Sequence, residues 1–265
     1  MGALPGLDMQ FVMQNLAQLF LASLRIGSFL LAAPFFGGSF VPLQVRIIIS
    51  VLLGISVMSM VEVPSIETFG QMKILAVVCT EIVIGVAAGL ILTIWLSAAM
   101  VAGEKIATSA GLGYAAQIDP EGGGQTPVVS KMLQMFVTVL FLSLNGHLIV
   151  LRTMMESYRQ LPVGETPHFG ALIEGGIAAF GHMFVVASLI MLPIAITLLL
   201  VNLAIGVMTR SAPQLNLFSF GFPITMLGVF ILLYLSVDSI AFGLNGLAIS
   251  AMDNLEVIMG RAIYG

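Results

Sequence analysis

The sequence predicts an all-α, membrane-associated protein built from about six long hydrophobic helices, some of them kinked. Two features of composition and one pattern support this prediction. Only 8% of the 265 residues are charged and 59% are hydrophobic, whereas a soluble domain carries roughly 25% charged residues. The apolar residues also gather in six runs close to the length of about 20 residues that a helix needs to cross a bilayer core.

The six runs are separated by connections that contain proline, a residue that does not continue a helix. In chain order the runs are Phe11–Ala33, Val45–Val63, Ile74–Val101, Val128–Leu151, Ala178–Met208 and Ile224–Ile249. The fifth run contains Pro193, which predicts a kink near Met191–Ala195. The third contains Gly85-x3-Gly89, a spacing that suits close helix contact. Chance explains that spacing equally well in a chain with 28 glycines.

Charge and motif searches exclude several classes of function. With 9 basic and 13 acidic residues the net charge is −4, so there is no basic surface for a nucleic acid. Gly103-Glu104-Lys105 ends like a phosphate-binding loop, but Glu104 stands where that loop needs its second glycine. No metalloprotease or serine-hydrolase motif is present. The sequence therefore predicts no enzyme, no cofactor and no metal site.

Cysteine and histidine offer no more chemistry. Cys79 lies in an apolar run and is expected to be a small buried hydrophobe. His147 and His182 also lie within apolar runs, and for each we favour a hydrogen-bonded structural role over a ligand or proton-relay role.

Charged residues inside the runs are the most unusual feature. Arg25, Glu81 and Asp238 would each cost about 2.5–3.5 kcal/mol at a bilayer centre on insertion scales. We expect them to be buried against protein, and favour that role over a proton path through the two acids. Arg25 has two candidate partners, Glu81 or a charge on a neighbouring subunit. Basic residues in the connections divide almost evenly between the two sides, so they predict no orientation.

The connection between the third and fourth runs is unlike the others. Residues 103–127 hold six glycines and two prolines, and the segment is too long and irregular to face lipid. A disordered surface loop is the simpler hypothesis, but the apolar stretch Ile106–Ala116 favours a mobile element that covers a pore. Its candidate plug residues are Ile106, Gly111, Leu112, Gly113, Tyr114, Asp119, Pro120, Gly122, Gly123, Gly124 and Pro127.

The segment Ile205–Ile224 resembles the signature of the FliR family of flagellar biosynthesis proteins. The matching residues are Arg210, Pro213, Gln214, Asn216, Phe218, Gly221 and Pro223. Three further stretches agree in order and spacing: Arg25-Ile-x5-Ala-Ala-Pro34, Gly111-Leu-Gly-Tyr-Ala-x3-Asp-Pro120 and Phe141-Leu-x-Leu-Asn-Gly-His147. The resemblance extends over essentially the whole chain.

Similarity to this family implies a subunit of the flagellar type III protein export gate in the bacterial inner membrane, within the flagellar basal body. It implies FliP and FliQ as partners in one channel, further export proteins such as FlhB, and unfolded flagellar proteins as cargo. It also implies a FliP-like part over residues 1–180, with the plug at about 106–127. A FliQ-like helical hairpin would follow over residues 181–265, with the signature as its turn.

Two alternatives remain at this stage. The broken fifth run and the intramembrane acids would suit a small-molecule or ion transporter, although no internal repeat is detectable. The homologous subunit of a virulence injectisome shares the general pattern, and the Asp-Pro loop and the Asn-Gly-His stretch favour the flagellar branch over it.

Overall fold

The computed structural model describes residues 9–38, 41–65, 71–111, 127–211 and 221–264, and the regular structure within these ranges is helical. This confirms the predicted all-α class. The helices are α1 (Met9–Ala32), α2 (Leu43–Met60), α3 (Gln71–Ser109), α4 (Val128–Ser143), α5 (Gly146–Gln160), α6 (Phe169–Ser211), α7 (Phe222–Leu235) and α8 (Val237–Tyr264).

Four of these helices, α1, α2, α3 and α6, are each long and apolar enough to cross a membrane. The pairs α4–α5 and α7–α8 pass the same test only when each bent pair is taken as one span. Among the described residues the count is therefore four spans, or up to six, and six matches the number of predicted runs. By helix length and composition the chain is a membrane protein.

Two breaks interrupt runs that the sequence predicted to be continuous. Between α4 and α5, Asn145 has a positive φ of 56°, a left-handed conformation that asparagine adopts more readily than most residues. Between α7 and α8 the chain bends by 66° next to Ser236, the C-cap residue of α7. Both runs are thus pairs of shorter helices, and both second helices extend beyond the apolar stretch.

The helices α3 and α6 are longer than predicted, at 39 and 43 residues. Helix α6 begins nine residues before the apolar run and continues through Pro193 without interruption. The turns of α6 that precede the apolar run are stabilised by packing against α8. A Cβ atom at Gly175 would lie only 2.6 Å from Cγ2 of Ile258, so the two helices are in direct contact there. The kink at Pro193 stays a prediction.

The chain divides into two compact units. The first comprises Met1–Thr93, Asn145–Ala179 and Ala251–Gly265, and the second Ile94–Leu144 and Phe180–Ser250. Buried residues such as Ile26, Phe29 and Met154 form the core of the first unit, whereas the core of the second includes Leu133 and Leu198. The FliP-like and FliQ-like parts, with their boundary at residues 180 and 181, stay a prediction.

Helix α1 packs closely against α3 in the first unit, so of the two explanations left open for Gly85-x3-Gly89 the helix contact is the correct one. A Cβ atom at Gly85 would overlap the carbonyl oxygen of Arg25 and the hydroxyl of Ser28, and one at Gly89 would lie 2.8 Å from Cβ of Ala32. Only glycine allows two helix backbones to approach this closely.

Candidate functional site

The predicted plug residues fall partly outside the described ranges. Leu112, Gly113, Tyr114, Asp119, Pro120, Gly122, Gly123 and Gly124 lie outside them, and Ile106, Gly111 and Pro127 lie inside. Ile106 is fully buried in the last turns of α3. Gly111 follows that helix with a φ of 81°, the left-handed conformation in which glycine commonly ends a helix. Pro127 is the N-cap residue of α4. These three residues mark the two ends of the predicted plug.

The two helices that lead into and out of this segment touch through their backbones. A Cβ atom at Gly103 of α3 would lie 2.5 Å from Cα of Ser130 in the first turn of α4. No side chain fits between them at this point. Glycine at 103 therefore determines how closely the two ends of the segment are held, which the sequence alone did not indicate.

The end of α3 is held by side chains from two distant helices. The last carbonyl groups of a helix have no partner within it. The amide Nδ2 of Asn202, on α6, donates to the carbonyl oxygen of Ser109 at 3.1 Å. The hydroxyl of Thr225, on α7, lies 3.1 Å from the carbonyl oxygen of Ala110. No motif or spacing in the sequence marked Asn202 or Thr225.

The predicted hairpin turn is described only at its two ends. Pro213, Gln214, Asn216 and Phe218 lie outside the described ranges, whereas Arg210, Gly221 and Pro223 lie inside. Arg210 is exposed in the last turn of α6, where a cation interacts favourably with the helix dipole. Pro223 occupies the first turn of α7. The N–H groups of a first turn have no acceptor within the helix, so the absence of an N–H in proline breaks no helical hydrogen bond. The carbonyl oxygen of Gly221 lies 3.2 Å from the Thr225 hydroxyl, so the hydroxyl has carbonyl acceptors both at the start of its own helix and at the end of α3.

Arg25 and Glu81 form an ion pair inside the first unit, and both side chains have 0% exposure. The Nε of Arg25 donates to Oε2 of Glu81 at 2.7 Å, and its Nη2 donates to Oε1 at 3.1 Å. The structure thus decides between the two partners left open for Arg25. The planar guanidinium matches the carboxylate with two parallel bonds, the strongest geometry for such a pair.

Helix α5 and the residue after it provide two further hydrogen-bond partners for the guanidinium. Arg25 donates from Nη1 to the hydroxyl of Ser157 and from Nη2 to the carbonyl oxygen of Leu161, both at 3.0 Å. The ring of Tyr158 lies 4.2 Å from the guanidinium carbon, and its hydroxyl donates to the carbonyl oxygen of Ala22 at 2.7 Å. Each nitrogen of the Arg25 guanidinium and each carboxylate oxygen of Glu81 therefore takes part in at least one hydrogen bond.

Asp238 differs from the expectation of burial. Its side chain is exposed in the first turn of α8, just after the break at Ser236. The positive end of the helix dipole at this turn stabilises a carboxylate, so the acid has a favourable position on the surface of the chain. The expectation treated the sixth run as one helix, in which residue 238 would fall near the middle.

Cys79 and His147 also depart from expectation, whereas the role expected for His182 stays a prediction. Cys79 is exposed rather than buried, because it lies on the face of α3 away from the core. The Nδ1 of His147 has no hydrogen-bond partner among the described residues, although a hydrogen-bonded role was expected. His182 stacks on Trp95 with ring centroids 5.1 Å apart. Within the described ranges no three histidine, cysteine or acidic side chains group to hold a metal ion.

Comparison with known proteins decides the family. The model of "Bacterial export proteins, family 1" matches residues 16–248. The flagellar biosynthetic protein FliR of Aquifex aeolicus is 31% identical over 230 residues, covering 87% of this chain and 89% of that protein. The FliR protein of Bacillus subtilis is 30% identical over 247 residues, covering 91% and 95%. The chain belongs to the FliR family.

The FliR protein of Escherichia coli is also similar, at 30% identity over 207 residues, or 77% of each chain. Both the family description and the names of these relatives refer to export or flagellar biosynthesis, and none names an enzyme. The resemblance first seen in the residues around Arg210 is confirmed across the length of the chain.

Proposed function

We propose that this chain is a subunit of the flagellar type III protein export gate, in the inner membrane part of the flagellar basal body. The observation that carries the proposal is the match to the FliR family over residues 16–248, together with relatives that are named flagellar biosynthetic proteins. FliP and FliQ are the proposed partners in the channel, FlhB is a further contact in the export apparatus, and unfolded flagellar proteins are the cargo.

The lengths of the helices support an assembly rather than a set of simple membrane spans. At 1.5 Å per residue, α3 with its 39 residues and α6 with its 43 are about 58 and 65 Å long. A bilayer core is only about 30 Å thick. Much of each helix therefore extends beyond hydrocarbon unless it is strongly tilted. Outside the hydrocarbon core, the apolar surfaces of α3 and α6 would be buried against neighbouring protein chains.

The exposed surface of the second unit supports the same proposal. Leu199, Leu203, Leu227, Tyr234 and Phe242 are each between 65% and 84% exposed. Large apolar side chains exposed in this number are unusual on a soluble monomer. Lipid and the helices of partner subunits are the two materials that would cover it in the proposed gate.

The buried charges favour this function over a transporter. A transporter of small molecules or ions commonly uses intramembrane acids at its midplane. Here Glu81 is fully engaged by Arg25, and Asp238 is on the surface at a helix start. The relatives are named flagellar rather than virulence proteins, which favours the flagellar gate over the injectisome.

Native mass spectrometry tests the proposal. The tagged chain would be expressed with and without FliP and FliQ of the same host, extracted in detergent and weighed intact. We expect a hetero-complex that contains both partners and a single copy of this chain. A monomer or homodimer that leaves both partners unbound contradicts the gate and makes the transporter the better hypothesis.

Deletion of Gly111–Gly124 tests the predicted plug. If this segment closes the channel, the complex lacking it should conduct ions in a planar bilayer while the intact complex stays silent. The deletion leaves α3 and α4 connected through the remaining residues, and a complex of unchanged subunit composition, lighter only by the deleted residues, serves as the control for assembly. Equal conductance of the two complexes would show that the segment does not close the channel.

A further inference from the structure

A surface cavity of about 620 Å³ lies in the first unit, where the start of α6 meets the end of α8. Its charged lining consists of Glu174 from α6 and Arg261 from α8, and His168 adds an imidazole. The volume falls within the range of roughly 300–1,000 Å³ that is typical of pockets for small molecules. The proposed export function assigns no role to this cavity.

Direct contacts between the two helices hold the walls of the cavity in place. The backbone N–H of His168 donates to the carbonyl oxygen of Ala262 at 2.8 Å. Further along α6, an added Cβ atom at Gly175 would lie only 2.6 Å from Cγ2 of Ile258 on α8. The cavity is therefore formed without a ligand, as ligand sites in proteins usually are.

The acid and the base in this cavity do not pair with each other. Both ion pairs of the described residues involve other side chains, and Glu174 and Arg261 are both exposed. Opposite charges that line one cavity without touching suit a ligand that carries both signs. An anionic group would accept from the guanidinium of Arg261, and an ammonium would donate to the carboxylate of Glu174.

An exposed apolar stripe leads away from the cavity along α6. Phe169 lines the cavity itself, and Ile173 and Ile177 follow at intervals of four residues, which places all three on one side of the helix. Their side chains are 41%, 65% and 70% exposed. Because helix length and composition make this chain a membrane protein, an acyl chain is the matching cover for a stripe that begins at a charged cavity.

We propose that the cavity binds the headgroup of a phosphatidylethanolamine, a phospholipid with a phosphate and a primary ammonium. Arg261 donates to the phosphate, Glu174 accepts from the ammonium, and one acyl chain lies along the stripe from Phe169 to Ile177. A primary ammonium has three N–H donors. The trimethylammonium of phosphatidylcholine has none and phosphatidylglycerol carries no ammonium, so Glu174 would select the lipid. This inference needs only a bilayer and does not depend on the export gate.

Native mass spectrometry of the purified full chain tests the site. The chain, in a mild detergent, is offered equal amounts of phosphatidylethanolamine, phosphatidylcholine and phosphatidylglycerol with the same acyl chains. We expect it to retain phosphatidylethanolamine at least three-fold over either of the others, the effect of one charge-assisted hydrogen bond that is partly exposed to water. Equal retention of the three lipids refutes the headgroup assignment.

Two charge substitutions separate the parts played by the base and the acid. Arg261→Gln should lower the retention of all three lipids by roughly three- to ten-fold, because all three share the phosphate. Glu174→Gln should lower only the retention of phosphatidylethanolamine, to the level of phosphatidylcholine. Arg159→Gln is the matched control, because it removes an exposed cation of the same unit that does not line the cavity. Parent-like retention in both cavity variants contradicts the proposal.

Filling the cavity tests it without a change of charge. A Cβ atom at Gly170, a lining residue, would meet no atom within 4 Å, so Gly170→Leu should fold and occupy part of the open space. We expect it to reduce phosphatidylethanolamine retention at least three-fold. Gly176→Leu is the control, because Gly176 has equally open surroundings but does not line the cavity. Unchanged retention in Gly170→Leu counts against the site, and if this variant does not fold, the charge substitutions decide.

A soluble headgroup distinguishes a lipid from a free phosphate ester. Glycerophosphoethanolamine has the same polar group but no acyl chains, so it cannot cover Ile173 and Ile177. It should be at least about a hundred-fold less potent than the lipid in displacing bound phosphatidylethanolamine. Equal potency would overturn the lipid in favour of a soluble phosphoethanolamine ester. None of these outcomes depends on whether the chain assembles with FliP and FliQ, so the proposed function is tested separately.

Discussion

Replacing Glu81 by alanine is expected to prevent this chain from folding stably. The change leaves the guanidinium of Arg25 at 0% exposure with no counter-charge. Removing one member of a buried ion pair typically costs about 3–5 kcal/mol, a large part of the 5–15 kcal/mol by which proteins are stable. We expect a much lower thermal midpoint and a low yield of monodisperse chain in detergent.

Substitution of Arg25 should lower the thermal midpoint as much as substitution of Glu81, even when lysine replaces it. A lysine ammonium provides no planar fork, so Arg25→Lys loses the two parallel bonds to the carboxylate and the bonds to Ser157 and Leu161. The double change Arg25→Met with Glu81→Leu should recover more than half of the lost midpoint, because it removes both charges and roughly retains their volume.

The exposed ion pair of the same unit is the matched control. Arg152 and Glu156 are joined at 2.8 Å with side chains 79% and 43% exposed. Pairs of this kind contribute little in water, so Arg152→Ala should leave the midpoint unchanged. If Arg152→Ala and Glu81→Ala lowered it equally, burial of the Arg25–Glu81 pair would not be the reason for its importance.

Among the glycines that the structure describes, Gly85 should be the one at which an added methyl group is most damaging. The added Cβ would overlap the carbonyl oxygen of Arg25 and lie 2.9 Å from the amide nitrogen of Phe29. These are backbone atoms of α1, so the helices α1 and α3 must separate to admit it. Overpacking of a core by one methylene or so costs about 1–3 kcal/mol, and Gly85→Val should exceed this range.

The comparison is with Gly176, a glycine in α6 of the same unit whose added Cβ would meet no atom within 4 Å. Alanine there should be neutral or raise the free energy of unfolding by up to about 1 kcal/mol, because alanine favours a helix over glycine. Both variants would be measured by thermal unfolding of the purified chain in detergent. Equal midpoints for Gly85→Ala and Gly176→Ala would contradict the close contact between α1 and α3.

Local features could be predicted from the sequence because they depend on neighbouring residues. The length of an apolar run and the prolines around it gave the helical class and the position of most helices. The residues around Arg210 were specific enough to indicate the family, which the match over residues 16–248 confirmed. Gly85-x3-Gly89 suited a helix contact, because small residues allow backbones to meet, but the sequence left chance as an equal explanation.

Features that depend on two distant segments could not be predicted in the same way. Asn202 and Thr225 are 93 and 115 residues away from the carbonyls they bind. Helices that are apolar on every side carry no amphipathic pattern to show which face meets which neighbour. The break at Asn145 was missed for a different reason: a run of apolar residues reads the same whether the helix continues or bends.

The helical class, an apolar content that suits a membrane and the resemblance to one family could all be read from the amino-acid sequence. The coordinates were needed to show that Arg25 pairs with Glu81, that Asp238 is exposed, and that the Thr225 hydroxyl lies close to the carbonyl groups of Ala110 and Gly221. Composition and periodicity describe residues that are close together in the sequence, and these residues determine helix formation and hydrophobicity. The partner of a buried charge or of a helix-end carbonyl is instead selected by packing between helices far apart in sequence.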